Sequence, residues 1–446
     1  MMNKYLWLIM VSFCFGNLGF SQQGFSVQNK RQSDKIKFEL INNLIIIPVE
    51  VNGVKLSFLL DTGVSKPIIF NFLNISDTLK IKDTESIYLR GLGEGQSVEA
   101  LKSKNNILKI GDALKLKQDL FAIFNSKLNF SNKLGVPVHG IIGYDLFRDL
   151  VVEINYSKKF LRLTNPSKFS YKTCKKCEQF NLEFYNGKPY LNAEVSIEEK
   201  NIPVKLLIDS GGSDALWLFE NESLGIISGE KYFDDFLGHG LSGSVYGKRS
   251  KVKALDLKRF KLKNANVAFP ETESVLLAKQ IKNRNGSVSG NVLKRFNIIM
   301  DYQKALFTIK KNSYFKDKFS YNKSGIEIEH NGVRLVRELD NNSNEIKSGF
   351  SNSSSDSGGR IVFDPNYKIS LKPAYTIVEL RKDSPADKAG LQIGDVIINI
   401  DGKRAHLYSL QQITEILYGD AGKRIKIKVD RDGILFSTMF RLEKMF

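Results

Sequence analysis

Two segments of the chain alternate apolar and polar positions with a period of two, break at a polar turn, resume, and end on an acid. The first is NLIIIPVEVNGVKLSFLLDTG (43–63) and the second is KPYLNAEVSIEEKNIPVKLLIDSG (188–211). Period two is the mark of a half-buried strand, and Asn52-Gly53 is a dipeptide suited to a tight hairpin turn. Each segment therefore predicts strand, turn and strand, closing on Asp61 in one copy and on Asp209 in the other. Downstream, HGIIGYDLFRDLVVEINYSKKFLRL (139–163) answers GSVSGNVLKRFNIIMDYQKALFTI (286–309). Gly143 matches Gly290, Arg148 matches Arg295 and, after one gap, Tyr156 matches Tyr302. The acid lies 82 positions before the glycine in the first copy (61 to 143) and 81 in the second (209 to 290). The pattern reads as two copies of one unit of about 140 residues.

Between each acid and its closing glycine runs a glycine-rich polar tract. The first, YLRGLGEGQSV, holds Gly91, Gly93 and Gly95. The second, FLGHGLSGSVYGKRS, holds Gly238, Gly240, Gly243 and Gly247. Neither tract follows a buried strand and opens a helix with the Lys-Ser/Thr of a phosphate loop. Both are expected to be mobile β-hairpin tips, since glycine supplies the positive φ angles such turns need.

The pattern changes after about Phe319. SGIEIEHNGVRLVREL is strand-like, and NNSNEIKSGFSNSSSDSGGR (341–360), rich in Ser, Asn and Gly, reads as a flexible insertion. Further on, Ser384-Pro385-Ala386 caps and begins a short helix that Gly390 ends, and Gly394-Asp395 turns into the strand VIINI. Asp401-Gly402 closes a hairpin, and SLQQITEILYG is an amphipathic helix with Leu410, Ile413 and Ile416 on one face.

Charge and the termini of these patterns refine the picture. The formal net charge is +18, from 66 Lys+Arg against 48 Asp+Glu. The lysines are scattered through strand-like segments such as KALDLKRFKLKNANVAF, with no basic stripe and no stacking aromatics, so a nucleic-acid partner is not expected. The N-terminus places Lys4 before an uncharged apolar run and small residues at Gly19 and Ser21, the signature of a signal peptide (1–21) cleaved after Ser21. Phe13 and Phe15 flank Cys14 with bulk where a lipoprotein site needs small residues. No later run of about 18 apolar residues follows, so the mature chain is expected to be exported, to the periplasm, the medium or the cell surface, without stable membrane insertion. Cys174 and Cys177, in TCKKCEQF, lack a second ligand pair for a metal and read as a local disulfide of an oxidising compartment.

If the two copies pack about a pseudo-twofold axis with their acid loops in contact, Asp61 and Asp209 face each other. Two carboxylates about 3 Å apart repel by roughly 5 kcal/mol at an effective dielectric of 20, so they share one proton over a broad pH range. One ionised and one protonated acid supply a general base and a general acid in one site. Thr62 and Ser210 would tie the loops from beneath, and Gly63 and Gly211 would let backbone approach the acids.

LLDTG and LIDSG, each followed by a hairpin tract and an apolar-Gly segment (IIG, VSG), resemble the aspartic peptidases of retropepsin and pepsin type over about 40 to 310. The resemblance implies a mainly β fold of two homologous acid-protease β-barrel lobes with pseudo-twofold symmetry (22–166 and 167–318), flaps over a polypeptide substrate, and no metal or cofactor. Val64 and Gly212 stand where the family usually has Ala or Ser, and no tyrosine takes the usual flap position, although Tyr88 and Tyr246 are nearby. DSPADKAGLQIGDVIINIDG resembles the core of bacterial PDZ domains, which implies a small α/β domain over 319–446. Such domains bind a C-terminal peptide by strand addition, with backbone amides holding its carboxylate. By this resemblance SGIEI is the carboxylate-binding loop, with Gly325, Ile326 and Ile328 at the peptide. The expected function is an exported aspartic endopeptidase with a peptide-binding PDZ domain; the alternative is a catalytically inactive peptide-binding scaffold on the same folds.

Overall fold

The computed structural model describes residues 24–70, 79–93, 95–124, 129–339 and 367–446. The segments expected to be a signal peptide (1–21) and a flexible insertion (341–360) lie outside the described residues. The chain is mainly β and divides into two compact units. One takes residues up to Ser131, Val136–Tyr321 and Met445–Phe446; the other takes Asn132–Gly135 and Asn322–Lys444.

The first unit holds two lobes of matching plan. In lobe one, Leu44–Val51 pairs antiparallel with Val54–Leu60 across the Asn52-Gly53 turn, where both residues take positive φ. Val54–Leu60 runs parallel to Gly140–Ile142, which pairs antiparallel with Ile68–Phe70. Lobe two repeats this with Lys188–Ile197 on Lys200–Asp209, then parallel Arg284–Ser289, then antiparallel Leu216–Leu218. Period-two patterning puts Leu56, Phe58 and Leu60 inside lobe one, and Leu206 and Ile208 inside lobe two.

A six-stranded sheet joins the lobes, in the order Cys177–Asn181, Leu306–Lys311, Phe296–Asp301, Val151–Asn155, Phe160–Thr164, Ser33–Lys37. Its two middle strands are the same element from each copy, paired antiparallel with Val152 opposite Met300 and Ile154 opposite Ile298. All four side chains are buried, each worth about 1.5–3 kcal/mol of apolar transfer, so this seam fixes the lobes against one another.

The sheet register corrects one pairing drawn from the sequence. Phe58 and Leu206, each three residues before its acid, stand level with Gly140 and Gly286. Asp209 is level with Ser289, which makes Ser289, not Gly290, the structural partner of Gly143. Gly290 stands one position later, as the first residue of the helix Gly290–Leu293. With the shift, Tyr156 and Tyr302 align without a gap.

The second unit is an antiparallel sheet in the order Ile326–Leu339, Tyr367–Leu380, Val396–Ile400, Arg424–Arg431, Ile434–Arg441. Ser384 caps the helix Pro385–Lys388, its hydroxyl accepting from the Asp387 amide at 3.3 Å. Ser409 and Gln412 form a capping box on the helix Leu410–Leu417, which buries Leu410, Ile413 and Leu417 against the sheet. Asp395, buried at the turn before Val396–Ile400, takes a two-pronged ion pair from Arg431 at 2.7 and 2.8 Å.

Candidate active site

The hairpin strands Val54–Leu60 and Lys200–Asp209 each deliver an acid to the lobe boundary, and the residue after each acid locks the two loops together. The Thr62 hydroxyl donates to the Ile208 carbonyl at 2.6 Å and accepts from the Ser210 amide at 3.0 Å. The Ser210 hydroxyl donates to the Leu60 carbonyl at 2.8 Å and accepts from the Thr62 amide at 3.0 Å. These four reciprocal bonds are buried, with Thr62 0% and Ser210 1% exposed. A buried hydroxyl left without partners would cost about 1–3 kcal/mol, so the lock holds only with both members in place.

Above the lock, Asp61 Oδ1 accepts from the Gly63 amide at 2.6 Å and Asp209 Oδ1 accepts from the Gly211 amide at 3.0 Å. Each glycine also abuts the acid of the other lobe. A methyl on Gly211 would stand 2.3 Å from Asp61 Cγ. One on Gly63 would stand 3.0 Å from Asp61 Oδ1 and 3.5 Å from Asp209 Oδ1, so these oxygens are at most 6.5 Å apart. Two further contacts cross the boundary symmetrically. Asn43 Nδ2 donates to the Ser213 carbonyl at 2.8 Å, and Ser65 Oγ donates to the Asn186 carbonyl at 3.3 Å.

Both acids are half-buried, and desolvation is the largest effect on each. Burial, and then the charge of Asp209, push Asp61 up to about 7 against the pull of the Gly63 amide and Lys188. Burial also raises Asp209, opposed first by the Arg284 guanidinium and then by the Gly211 amide. The two acids therefore titrate as one unit that keeps a proton to higher pH than a free carboxyl, with the Arg284 charge favouring the ionised form of Asp209.

The glycine tracts are the tips of two hairpins. One joins Thr84–Leu89 to Val98–Ile110 and the other joins Phe233–Gly240 to Gly243–Leu257. The tips clasp each other: the Gly95 amide donates to the Ser242 carbonyl at 2.7 Å, and the Ser242 amide to the Leu92 carbonyl at 2.9 Å. The Gly91 amide donates to Ser242 Oγ at 3.1 Å, and the Gly93 amide to the Ser274 carbonyl at 3.1 Å. A methyl on Gly95 would lie 2.1 Å from the Ser242 oxygen, and one on Gly240 2.1 Å from the Leu92 oxygen. Close approach, as much as turn geometry, demands these glycines; Gly238 and Gly243 flank the second tip at positive φ. Tyr88 is 73% exposed, and Tyr246 packs on Phe236 at 5.6 Å.

A family model for the aspartyl protease domain matches residues 47–146, and one for the PDZ domain matches residues 376–431. The chain carries an aspartyl protease domain and a C-terminal PDZ domain. No curated protein matches it. The protease match lies within lobe one; lobe two repeats its strand plan and brings Asp209 to the same boundary as Asp61.

In the PDZ domain the loop before Ile326–Leu339 differs from the expected open amide nest. The Ser324 and Gly325 amides both donate to Asn322 Oδ1, at 3.0 and 3.2 Å, and the Ile326 amide donates to Ser324 Oγ at 3.1 Å. Asn322 Nδ2 donates to the Ile326 carbonyl at 2.7 Å. The side chains of Ile326 and Ile328 are buried in the domain core. The Gly325 and Ile326 amides expected to hold a peptide carboxylate thus already serve the chain's own Asn322 and Ser324. The cause is a short-range Asx-type turn at Asn322, two residues before the SGIEI segment. Cys174 and Cys177 are joined in a disulfide at the edge of the interlobe sheet.

Two residues near the protease acids went unread in the sequence: Lys188 and Arg284. Their signal was a mismatch between the copies, because Lys188 occupies the place that Leu44 holds in lobe one. Ile46 opposite Leu59 and Tyr190 opposite Leu207 fix that correspondence.

Proposed function

We propose that this chain is an exported aspartic endopeptidase that hydrolyses peptide bonds with a water activated between Asp61 and Asp209. The observation that carries the reading is the reciprocal Thr62–Ser210 lock, which holds the two acids abreast from opposite lobes. Asp209, ionised beside Arg284, takes a proton from the attacking water while Asp61 donates its proton to the carbonyl oxygen of the scissile bond. The product of that step is a neutral gem-diol, with the proton count of the pair unchanged and the proton moved to Asp209. Collapse returns the hydroxyl proton to Asp61 as Asp209 protonates the leaving amine, which restores the starting pair.

The clasped hairpin tips serve as flaps that part to admit a polypeptide and close over it. Export rests on the charged-then-apolar N-terminus, and the Cys174–Cys177 disulfide accords with an oxidising compartment. Among the described residues no helix is long and apolar enough to cross a membrane. The PDZ domain supplies a second peptide-binding surface, with Ile326–Leu339 as the edge strand to which an extended peptide adds.

A statine-type peptide, whose hydroxyl mimics the tetrahedral intermediate, tests the reading by calorimetry. Transition-state mimics bind at least about 100-fold more tightly than substrates, and that gain should vanish in Asp61→Asn and Asp209→Asn. Equal binding by the wild type and both variants would exclude the dyad as the site.

A further inference from the structure

Lys188 opens the strand Lys188–Ile197, directly after a turn that lies against the first acid loop. Asn186 accepts from Ser65 Oγ, and a methyl on Gly187 would stand 2.9 Å from the Tyr144 ring. Tyr190 is opposite Leu207, so carrying the register two residues back brings Lys188 level with Asp209. Lys188 and Tyr190 share one face of the strand, as period two requires. Arg284 opens the parallel neighbour strand Arg284–Ser289 and leans on the same tyrosine. Its guanidinium lies 5.9 Å from the Tyr190 ring and 5.3 Å from the Phe219 ring, and Nε donates to the Gly286 carbonyl at 3.2 Å. Arg284 thus reaches the ring of Tyr190, two residues along the strand from Lys188, and Lys188 stands level with the second acid.

Their charge is not fully matched. Among the described residues, the carboxylates that act on Lys188 are Asp61 and Asp209, and the one that acts on Arg284 is Asp209. While the two acids share one proton they carry a single negative charge, which leaves one positive charge over. The excess belongs to lobe two alone. Lobe one has the buried Leu44 in place of Lys188, and its run 136–142, VPVHGII, has neither lysine nor arginine. Both cations are half-buried, and burial weakens each charged form, so an added carboxylate would relieve a cost that the folded chain already bears.

We propose that Lys188 and Arg284 form a basic subsite that selects an aspartate or glutamate side chain of the polypeptide substrate, on one side of the scissile bond only. The inference rests on the aspartic peptidase reading and deepens it by naming a substrate class. A charge-assisted hydrogen bond to such a carboxylate is expected to favour it by about tenfold or more over its neutral isostere.

The test uses the full chain with peptides that differ only in Glu or Gln at each position around the cleaved bond, and the matching pair of statine-type mimics. The expected result is a preference for Glu of about tenfold or more in kcat/KM at one position, mirrored in the Kd of the mimics. Lys188→Met and Arg284→Met should each bring the Glu/Gln ratio toward one. Lys188→Glu should turn the preference at that position toward Lys, a gain that misfolding cannot produce. Equal use of Glu and Gln at every position, with the mimics still bound, would overturn the subsite and leave the peptidase reading standing. A preference that survives in all three variants would also overturn it. Absence of both cleavage and mimic binding in the wild type would defeat the peptidase reading, and the subsite with it.

Discussion

The acid pair keeps a proton because desolvation and the Asp209 charge both oppose ionisation of Asp61, and this has consequences for rate and for stability. Activity needs one proton on the pair, so kcat/KM should fall about tenfold per pH unit above about 7, where the pair loses it. A pH–rate profile level to pH 9 would contradict the assignment. The sign for stability follows from the same shift. A carboxyl raised from 3.8 to about 7 on folding binds more protons in the native state, so its contribution declines as pH rises through that window. Asp61→Asn should therefore raise the denaturation midpoint at pH 7.5 relative to wild type and have little effect at pH 3.5. Thr62 has the opposite character. Thr62→Val keeps the shape but strands the Ser210 amide and removes the donor to Ile208, which should cost about 1–3 kcal/mol for each group left unsatisfied, read by chemical denaturation.

At the scale of elements, the hairpins were legible because strand patterning, the Asn52-Gly53 turn and the terminal acid agree with one another. The flap tips were legible as glycine tracts, but that they meet each other was not. Contacts such as Gly95 on Ser242 join residues 147 positions apart (95 to 242) and leave no local pattern. The PDZ loop shows the reverse case, where a local detail was missed. Asn322 satisfies the amides of Ser324 and Gly325 through a turn of three residues, and a family likeness carries the motif without such a neighbour. Because those amides are already engaged, a peptide with a free C-terminus and its C-terminal amide should bind the PDZ domain with affinities within about threefold, since no charge-assisted bond separates them. A tenfold or greater preference for the free carboxylate, by fluorescence polarisation, would show that Asn322 gives way.

At the scale of the molecule, both acid-bearing lobes reside in one chain, so Asp61 and Asp209 are brought together as it folds. A single chain also lets the two halves diverge, and the structure shows where they have. Leu44 against Lys188 is an apolar side chain against a cation at equivalent places beside the acids. Sequence comparison of the copies could locate that difference but could not value it, because the nearness of Lys188 to Asp61 is created only when the lobes close. The same holds for Asp395 and Arg431, 36 positions apart and joined only by the folded sheet. The central claim, that Asp61 and Asp209 act as one catalytic unit, is tested most directly by the cleavage rate of a peptide substrate by the purified chain and its two single variants. Asp61→Asn and Asp209→Asn should each lower kcat by at least about 1,000-fold, and the double variant should be scarcely worse than either, as expected for residues that act together. Cleavage at the wild-type rate by either single variant would contradict it.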